Sequence, residues 1–418
     1  MRTARTSNIK HYQLAPWGCK DPNVFEAGFA EMMNRDVIFL PEHTEFQAKP
    51  YIGERITPAG IKSAKPVTPV YRWYDIAIKA TWDGGWNTEQ FATQTFPLRQ
   101  MISHRFIEQN DWWLYGVEGD RLTHHNDGQR YLIDFGKPGC IDAYCEQLRW
   151  RLAREPVDGA MFDYPVYDLP DIIRRWYGPT KALRDYPGAD AEWFERAWKP
   201  LVTAMSSHIH AIGKKFLLLE PGDYESTRPE HVFNRSKIDG LFYERGLANW
   251  WWVHTGDQWV TPNRYTATEL AKRIDAIYRD PLNVHWGESF PHHSQLEGGL
   301  DAEERYRLAG FCFYLIAVKN PRSADRSYNF ASAAVGDDYY PELWGPMNLA
   351  IGSPLRKGAK LDATGLVWFR EYSKGFVFLN YSGSSFGTDI SRLRDATTGE
   401  ELAIPVVIPA FSGRILLK

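Results

Sequence analysis

The sequence predicts an α/β protein: a (β/α)8 TIM barrel followed by a small C-terminal antiparallel β-sandwich. Three observations support this fold class. Short apolar runs alternate with helical patterns through most of the chain, which is typical of βα units. The length of 418 residues suits a barrel with an accessory module. After about Pro354 the helical patterns stop, so we predict a barrel domain over residues 1–355 and the sandwich over 356–418.

The predicted barrel elements follow one another as repeated βα units. Strand segments are predicted at His11–Leu14, Val37–Leu40, Val67–Ile78, Trp112–Val117, Val157–Asp163, Lys215–Glu220, Ile238–Glu244 and Asn283–Glu288. Helices are predicted at Phe25–Met33, Gln90–Phe106, Ile141–Leu152, Ala191–Ile212, Thr266–Tyr278 and Ala302–Val318. The helix Ile141–Leu152 is the clearest, because its apolar side chains fall on one face. Roughly eight strand–helix cycles result, and this number favours closure into a barrel.

The C-terminal segment shows strands and turns without helical patterns. Short strands are predicted at Leu366–Tyr372, Phe376–Tyr381, Ser391–Arg394, Pro405–Ile408 and Arg414–Leu417. The turn Ser373–Gly375 separates the first two strands, and Thr-Gly and Ser-Gly pairs mark later turns. Alternating apolar and polar residues along these strands therefore predict an antiparallel β-module.

Composition and charge argue against several classes of protein. The chain has 49 basic and 52 acidic residues and a net charge of −3, so we expect no nucleic-acid partner. No apolar window is long enough for a membrane span, and no signal peptide is visible, which leaves a cytoplasmic protein or an exported one whose leader was removed. The cysteine and histidine spacings predict neither a metal nor a cofactor. The oligomeric state stays open.

Two segments share one pattern, and they are the most informative feature of the sequence. Asp158-Gly-Ala-Met-Phe-Asp163 and Asp239-Gly-Leu-Phe-Tyr-Glu244 each contain Asp-Gly, two apolar residues, an aromatic residue and a carboxylate. Because side chains alternate along a strand, Asp163 shares a face with Gly159. In a barrel that face is expected to be the interior, with both acids at the C-terminal mouth, where barrel enzymes keep their catalytic residues. Asp158 and Asp239 are expected at the N-terminal end, in capping or turn roles.

A pair of carboxyl groups is what cleavage of a glycosidic bond requires. One group protonates the leaving oxygen, and the other acts as nucleophile or as a base toward water. Glu244 follows Tyr243 and precedes Trp250–Trp252, and burial among aromatic rings favours the protonated carboxyl, so Glu244 is the predicted acid. Asp163 is then the predicted nucleophile. A structural alternative stays open, in which both acids end strands and pair with an arginine such as Arg245.

Other residues compete for this site or extend it. Glu220 ends the strand Lys215–Glu220 and would be the acid in an amylase-like arrangement, where the acid follows on the next strand. The run of three tryptophans is expected to expose at least one ring from a loop as a sugar-stacking surface, with packing under that loop as the alternative. The predicted substrate-binding residues are Glu220, Glu288, Asp75, Trp250, Trp251, Trp252, His285 and Trp286.

Several segments resemble a known group of proteins. These segments are Trp112–Gly119, Val157–Asp163, Ile238–Glu244, Leu349–Pro354 and Val367–Asn380. They resemble an uncharacterised family of hypothetical glycosyl hydrolase barrels, number fifteen of that series, and more distantly the α-galactosidase and polygalactosaminidase superfamily. The resemblance implies a barrel with its nucleophile on the fourth strand and its acid/base on the sixth. On the matching positions these are Asp163 and Glu244, and the implied mechanism is retaining.

These observations lead to one functional prediction and two rivals. The prediction is a glycoside hydrolase that cleaves an α-linked, bacterial poly- or oligosaccharide without a cofactor, so that its partner is a glycan. The first rival is a catalytically silent carbohydrate-binding barrel protein. The second is a hydrolase of esters or amides, against which the lack of a Gly-x-Ser-x-Gly elbow counts. The distance between the Asp163 and Glu244 carboxyl groups distinguishes a retaining from an inverting mechanism, since retaining pairs lie about 5–5.5 Å apart and inverting pairs about 6.5–9.5 Å. A greater distance would exclude the hydrolase.

Overall fold

The structure is a computed structural model, and it describes most of the chain. The described residues are 12–14, 36–41, 57–75, 78–80, 102, 104–124, 127–163, 169–178, 180–220, 228–243, 247, 249–255, 258–263, 265–280, 282–291, 299–321, 326–333, 350–389, 394–395, 401 and 405–418. The predicted helix Phe25–Met33 and most of the predicted helix Gln90–Phe106 lie outside these residues. All structural statements below concern the described part.

The chain divides into two compact units. The first unit comprises Met1–Ile38, Glu220–Ser226 and Phe242–Lys418. The second unit comprises Phe39–Leu219 and Thr227–Leu241. The division of the sequence into domains 1–355 and 356–418 stays a prediction.

One sheet contains seven of the eight strands that the sequence predicts for the βα units. The strands are β1 (Tyr12–Leu14), β2 (Val37–Pro41), β3 (Val70–Asp75), β4 (Ile78–Ala80), β5 (Thr123–His124), β6 (Asp127–Leu132), β7 (Gly159–Asp163), β8 (Lys215–Glu220), β9 (Gly240–Tyr243), β10 (Asn249–Thr255), β11 (Gln258–Asn263), β12 (Asn283–Pro291) and β13 (Arg326–Ala333). Eight of them form the sheet β1-β2-β3-β7-β8-β9-β12-β13. The β3–β7, β7–β8 and β12–β13 pairings are parallel, as βα units require. Within the first unit, β1 and β13 contact each other.

Helices separate these strands along the chain. They are α1 (Pro58–Ala64), α2 (His104–Asn110), α3 (Cys140–Arg154), α4 (Leu169–Tyr177), α5 (Ala189–Trp193), α6 (Lys199–His210), α7 (Pro229–Arg235), α8 (Ala267–Arg279) and α9 (Gly299–Ala317). The predicted helix Ala191–Ile212 is interrupted, because a π-helical turn at Phe194–Trp198 joins α5 to α6. Pro200 opens α6 and has no N–H to donate to the preceding turn, which accounts for the wider turn there.

An insertion between β3 and α3 forms its own antiparallel sheet, of order β4-β6-β5. The residues Trp112–Val117, predicted as a short strand or extended segment, form isolated bridges and no regular strand before the turn at Gly119. A buried carboxyl group follows this sheet. Asp134 lies two residues after the end of β6 and is only 1% exposed. Its carboxylate accepts hydrogen bonds from the Tyr186 hydroxyl and from the N–H of Gly136. Burial nevertheless raises the pKa of Asp134, because desolvation disfavours the charged form.

The C-terminal strands form two antiparallel sheets, as predicted. The strands are β14 (Ala359–Lys360), β15 (Val367–Tyr372), β16 (Gly375–Asn380), β17 (Phe386–Thr388), β18 (Arg394–Asp395), β19 (Val406–Ile408) and β20 (Ser412–Leu417). One sheet has the order β14-β15-β16-β20-β18, and the other pairs β17 with β19. Phe378 and Leu416 of the larger sheet share a buried cluster with Val406 and Ile408 of the smaller one. The two sheets are therefore held together by a common apolar core.

A buried arginine of β15 ends helix α9. Arg370 is 1% exposed and lies at the C-terminal end of α9. The last carbonyl groups of a helix have no N–H partner within the helix, and the Arg370 side chain supplies donors to them. Its guanidinium donates hydrogen bonds to the carbonyl oxygens of Leu315, Ile316, Val318, Lys319 and Arg356. The Tyr372 hydroxyl donates a further bond to Leu315, at 2.6 Å. This contact fixes the larger C-terminal sheet to α9 within the first unit.

Replacing Arg370 by methionine tests this contact. The substitution keeps apolar volume and leaves several buried carbonyl groups without a donor, so we expect a loss of roughly 3 kcal/mol in the free energy of unfolding. Urea denaturation measures the loss. Arg394→Met is the control, because the Arg394 side chain is 66% exposed in a loose ion pair and its loss should change little. Equal losses in both variants would contradict the role assigned to Arg370.

Asp134→Asn tests the buried carboxyl group. Because the pKa of Asp134 is raised in the folded state, this group contributes stability below its unfolded pKa, and that contribution is lost as pH rises through the folded pKa. Asparagine keeps an oxygen acceptor for Gly136 and cannot ionise. The stability of the variant relative to wild type should therefore increase as pH rises from acidic to neutral. Chemical denaturation across that range measures it, and a constant difference would show that Asp134 does not carry the effect.

Candidate active site

The carboxyl ends of β3 and β7 bring two acidic residues into register. The parallel pairing runs from Tyr71 opposite Gly159 to Asp75 opposite Asp163, and each acid is the last residue of its strand. In-register residues of neighbouring parallel strands lie about 4.8 Å apart and belong to the same face of the sheet. The backbone therefore places the predicted nucleophile, Asp163, beside one of the predicted substrate-binding residues, Asp75.

The amino ends of the strands show what the repeated Asp-Gly pairs do. The Asp158 carboxylate accepts a hydrogen bond from the N–H of Val70, and the Asp239 carboxylate accepts one from the N–H of Phe216, both at 2.7 Å. In each case the N–H of the aspartate also donates to the carbonyl of the same partner, at 2.8 Å. The predicted position of both aspartates at the amino ends of the strands is confirmed, but their carboxylates bond the neighbouring strand instead of capping a helix or closing a turn. Each aspartate locks the first residues of its strand to the neighbouring strand.

Gly159 allows β7 and β8 to approach closely. A Cβ atom at this position would lie 2.2 Å from the carbonyl oxygen of Lys215 on β8. Since real Cβ atoms do not come this close to backbone, only glycine fits here. Strand packing and pairing thus explain Asp158 and Gly159, the first two residues of the pattern. Asp163, its last residue, is not explained by them and is the candidate for catalysis.

Strand alternation places Asp163 on the face opposite the end of α3. Arg72 is 2% exposed, and its Nε donates to the carboxylate of Glu155, the C-cap residue of α3, at 2.6 Å. Arg72 pairs with Ala160, whereas Trp73 pairs with Met161. Because Met161 and Asp163 are two residues apart, Asp163 shares its face with Trp73 and not with Arg72.

Solvent reaches few side chains on these two strands. Val70, Tyr71, Arg72 and Tyr74 of β3 are at most 3% exposed, and the residues of β7 before Asp163 are buried. Asp163 is partly exposed, and so is Trp73. The sequence reasoning missed Trp73, although its position two residues before Asp75 gave the signal.

The other predicted site residues lie on several elements. Glu220 is the last residue of β8, and Glu244 follows β9 directly but lies outside the described residues. His285, Trp286 and Glu288 belong to β12, in register with Ser327, Tyr328 and Phe330 of β13. The roles predicted for these residues stay predictions.

The three consecutive tryptophans do not lie in a loop. Trp250, Trp251 and Trp252 belong to β10, which forms an antiparallel hairpin with β11. The register shifts between Asn249 and Trp252, as at a β-bulge. The expectation of a long loop is wrong at this point, because large aromatic residues favour a pleated strand. Their predicted role in sugar stacking stays a prediction.

A serine, a histidine and an aspartate also line up, but at the opposite end of the strands. Ser206 Oγ lies 3.2 Å from His210 Nδ1, and His210 Nε2 lies 2.8 Å from Asp239 Oδ2. Ser206 Oγ donates its proton to the Lys237 carbonyl at 2.7 Å, so it is held as a structural donor and not as a nucleophile facing His210. This arrangement fastens α6 to the start of β9 and does not favour an ester or amide hydrolase.

Three features of the described residues concern metal binding, membrane insertion and the cysteine thiols. No group of three or more His, Cys, Asp or Glu side chains in that part of the chain is arranged to hold a metal ion. No described helix combines the length and apolar character needed to cross a bilayer. Cys140, Cys145 and Cys312 are free and buried, and burial raises the pKa of the Cys145 thiol to about 12.

Comparison with known proteins identifies the class of fold. No family model and no curated protein matches the chain. Among solved structures, an α-amylase from Malbranchea cinnamomea has a TM-score of 0.51 at 11% identity, covering 98% of this chain and 96% of that one. A noncanonic maltogenic α-amylase from Thermotoga neapolitana has a TM-score of 0.50 at 10% identity, covering 99% and 97%. The chain therefore shares the fold of these α-amylases along almost its whole length.

Gly159→Ala tests the close approach of β7 to β8. The new methyl group would press on the Lys215 carbonyl, which is backbone and cannot move aside, so we expect a loss of about 3 kcal/mol in the free energy of unfolding. Gly387→Ala, also within a strand, is the matched control, since its nearest contact would be a Pro405 carbon at an ordinary 3.7 Å. Urea denaturation compares the two. A Gly159 variant as stable as the Gly387 variant would disprove the packing constraint.

Proposed function

We propose that this protein is a glycoside hydrolase in which Asp163 is the nucleophile and Glu244 the general acid/base. It acts on a glycan, an α-linked poly- or oligosaccharide of bacterial origin, by a retaining mechanism. We also propose that the eight strands close into a (β/α)8 barrel, which the contact between β1 and β13 in the first unit supports. The similarity in fold to α-amylases supports the enzyme class.

One observation carries the proposal for Asp163. It is the last residue of the fourth strand in the sheet order, it is partly exposed, and it shares a face with Trp73 rather than with Arg72. Barrel enzymes place their catalytic groups at the carboxyl ends of strands, where solvent and substrate reach them.

The backbone ladder supports Glu244 over Glu220 as the partner. The N–H of Asp239 donates to the Phe216 carbonyl just as the N–H of Asp158 donates to the Val70 carbonyl. On β3 and β7 this bond pattern is followed by the pair Tyr71 and Gly159. The same bond pattern between β8 and β9 implies that Gly240 pairs with Leu217. Side chains two residues apart on a strand share a face, so continued alternation from Gly240 would put position 244 on the face that carries Leu217.

The pairing of β7 with β8 connects this set to Asp163. Met161 pairs with Leu217 and Phe162 pairs with Leu218. Continued alternation past Tyr243 would put position 244 in the set that contains Asp163, whereas position 220 belongs with Leu218. Strand alternation sends the two sets to opposite faces of the sheet, which favours Glu244 as the acid/base.

The chemistry needs only these two groups and water. The Asp163 carboxylate attacks the anomeric carbon while Glu244 gives its proton to the leaving oxygen, which breaks the glycosidic bond and forms a glycosyl ester. Glu244 then takes a proton from water, and the resulting hydroxide displaces Asp163. We further propose that substrate hydroxyl groups and sugar faces are bound by Glu220, Glu288, Asp75, Trp250, Trp251, Trp252, His285 and Trp286.

Asp163→Asn tests the proposal. Starch, dextran, an α-galactan and a set of bacterial exopolysaccharides form the panel, and mass spectrometry detects the released products. Loss of the nucleophile should lower the rate by at least about a thousandfold on the polymer that the wild type cleaves. Asp158→Asn is the matched control at the opposite end of the same strand. It should stay within about threefold of wild type, because asparagine keeps an oxygen acceptor for the Val70 N–H and loses only the ion pair with Lys62.

Other outcomes of this experiment point elsewhere. Products from wild type and from Asp163→Asn alike would keep the enzyme class and move the nucleophile to Glu220 or Glu288. Binding of a panel glycan without cleavage by the wild type would reject the hydrolase in favour of a catalytically silent carbohydrate-binding protein.

A further inference from the structure

We infer that Trp73 is a substrate-contacting residue, and that its indole ring stacks on the sugar unit whose anomeric carbon Asp163 attacks. The inference rests on the proposed function and adds to it the surface that holds this sugar. It assigns an aromatic platform to β3, next to the acid that ends β7, for the sugar unit at the point of cleavage.

The first argument is the exposure of Trp73 in the middle of a sheet. Strand β3 is hydrogen-bonded on both sides, to β2 and to β7. Solvent can therefore reach a β3 side chain only from above or below the sheet. The neighbours Tyr71, Arg72 and Tyr74 are 3%, 2% and 3% exposed, yet Trp73 is partly exposed. Solvent therefore reaches part of the Trp73 side chain from the face of the sheet that carries it.

The second argument is the contrast with tryptophans that fill the core. Trp113, Trp193 and Trp198 are each 0% exposed, and Trp113 and Trp198 donate their indole N–H to Glu108 and Asn234. A large apolar ring left partly in water loses part of the free energy that its full burial would give. That loss is expected where the ring surface is needed for a ligand.

The third argument is the position of Trp73 relative to Asp163. Trp73 pairs with Met161, which is 0% exposed, and Asp163 is two residues further on the same face. A lateral spacing of about 4.8 Å and a rise of about 3.3 Å per residue put the two Cα atoms about 8 Å apart. That spacing leaves room for one sugar ring between an indole face and a carboxylate.

The chemistry of a sugar matches this pair of side chains. A pyranose ring presents C–H groups on its faces and hydroxyl groups at its edge. The indole ring of Trp73 offers a rigid apolar surface to the C–H groups of the sugar. The partly exposed Asp163 carboxylate lies further along the same face of the sheet. Stacking would fix the plane of the ring, and thereby hold the anomeric carbon within reach of Asp163.

The test measures binding and contact separately. The full chain is labelled with 5-fluorotryptophan in the Asp163→Asn background, so that glycans bind without being cleaved. The fluorine resonance missing from the Trp73→Phe protein is that of Trp73. Each glycan of the panel is then added, and titration calorimetry gives its Kd for Trp73→Phe, Trp73→Leu and the control Trp150→Leu. Trp150 is 42% exposed and stacks on Arg154 of the same helix, away from β3.

We expect the Trp73 resonance to shift when the bound glycan is added. Trp73→Leu should raise the Kd about tenfold, while Trp73→Phe, which keeps a flat ring, should raise it less than about threefold. Trp150→Leu should leave the Kd unchanged. If Trp73→Leu does not fold, the resonance shift and the Trp73→Phe protein still decide the question.

Two failures are distinguishable. The inference is overturned if a glycan that the wild type binds or cleaves does not shift the Trp73 resonance. It is also overturned if the Trp73→Leu and Trp73→Phe proteins bind that glycan with equal affinity. Either result leaves the hydrolase proposal standing. A wild type that neither binds nor cleaves any glycan of the panel would overturn the proposed function, and this inference with it.

Discussion

The register between β3, β7 and β8 is the constraint on which the candidate site depends. Asp158 fixes it at one end by bonding both ways to Val70, and Gly159 lets the backbones approach to a distance that no Cβ atom would allow. A slip of one residue would send every side chain of β7 to the other face. The chemistry at the carboxyl end of the strand, at Asp163, therefore depends on hydrogen bonds at its amino end.

Polar groups that folding buries are supplied with specific partners in both units. In the second unit, Arg72 is held by Glu155, and Asp134 by Tyr186 and a backbone N–H. In the first unit, Arg370 takes up the carbonyl groups at the end of α9. Such groups are costly when unsatisfied, so each contact fixes the packing of one element on another. The partial exposure of Asp163 and Trp73 stands out against this background of enclosed polar and aromatic groups.

A repeated sequence pattern turned out to have two separate causes. The Asp-Gly pairs at 158–159 and 239–240 serve the strand ladder, which is a structural role. The acids that end the two patterns are not explained by that ladder. Separating the two causes matters, because the similarity between the segments was the main sequence evidence for catalysis at Asp163 and Glu244. Only the acidic ends, and the aromatic residue that the register sets beside Asp163, remain as evidence for a site.

The sequence by itself determined seven of the eight strands of the large sheet, most of the helices and the antiparallel C-terminal strands, because the period of apolar residues follows local backbone geometry. It also determined the parity that puts Gly159 and Asp163 on one face. Tertiary structure alone decided that Asp75 lies in register with Asp163 and that the run at Trp250 is a hairpin. Pairing joins residues far apart in the chain, and no local pattern records which of them become neighbours.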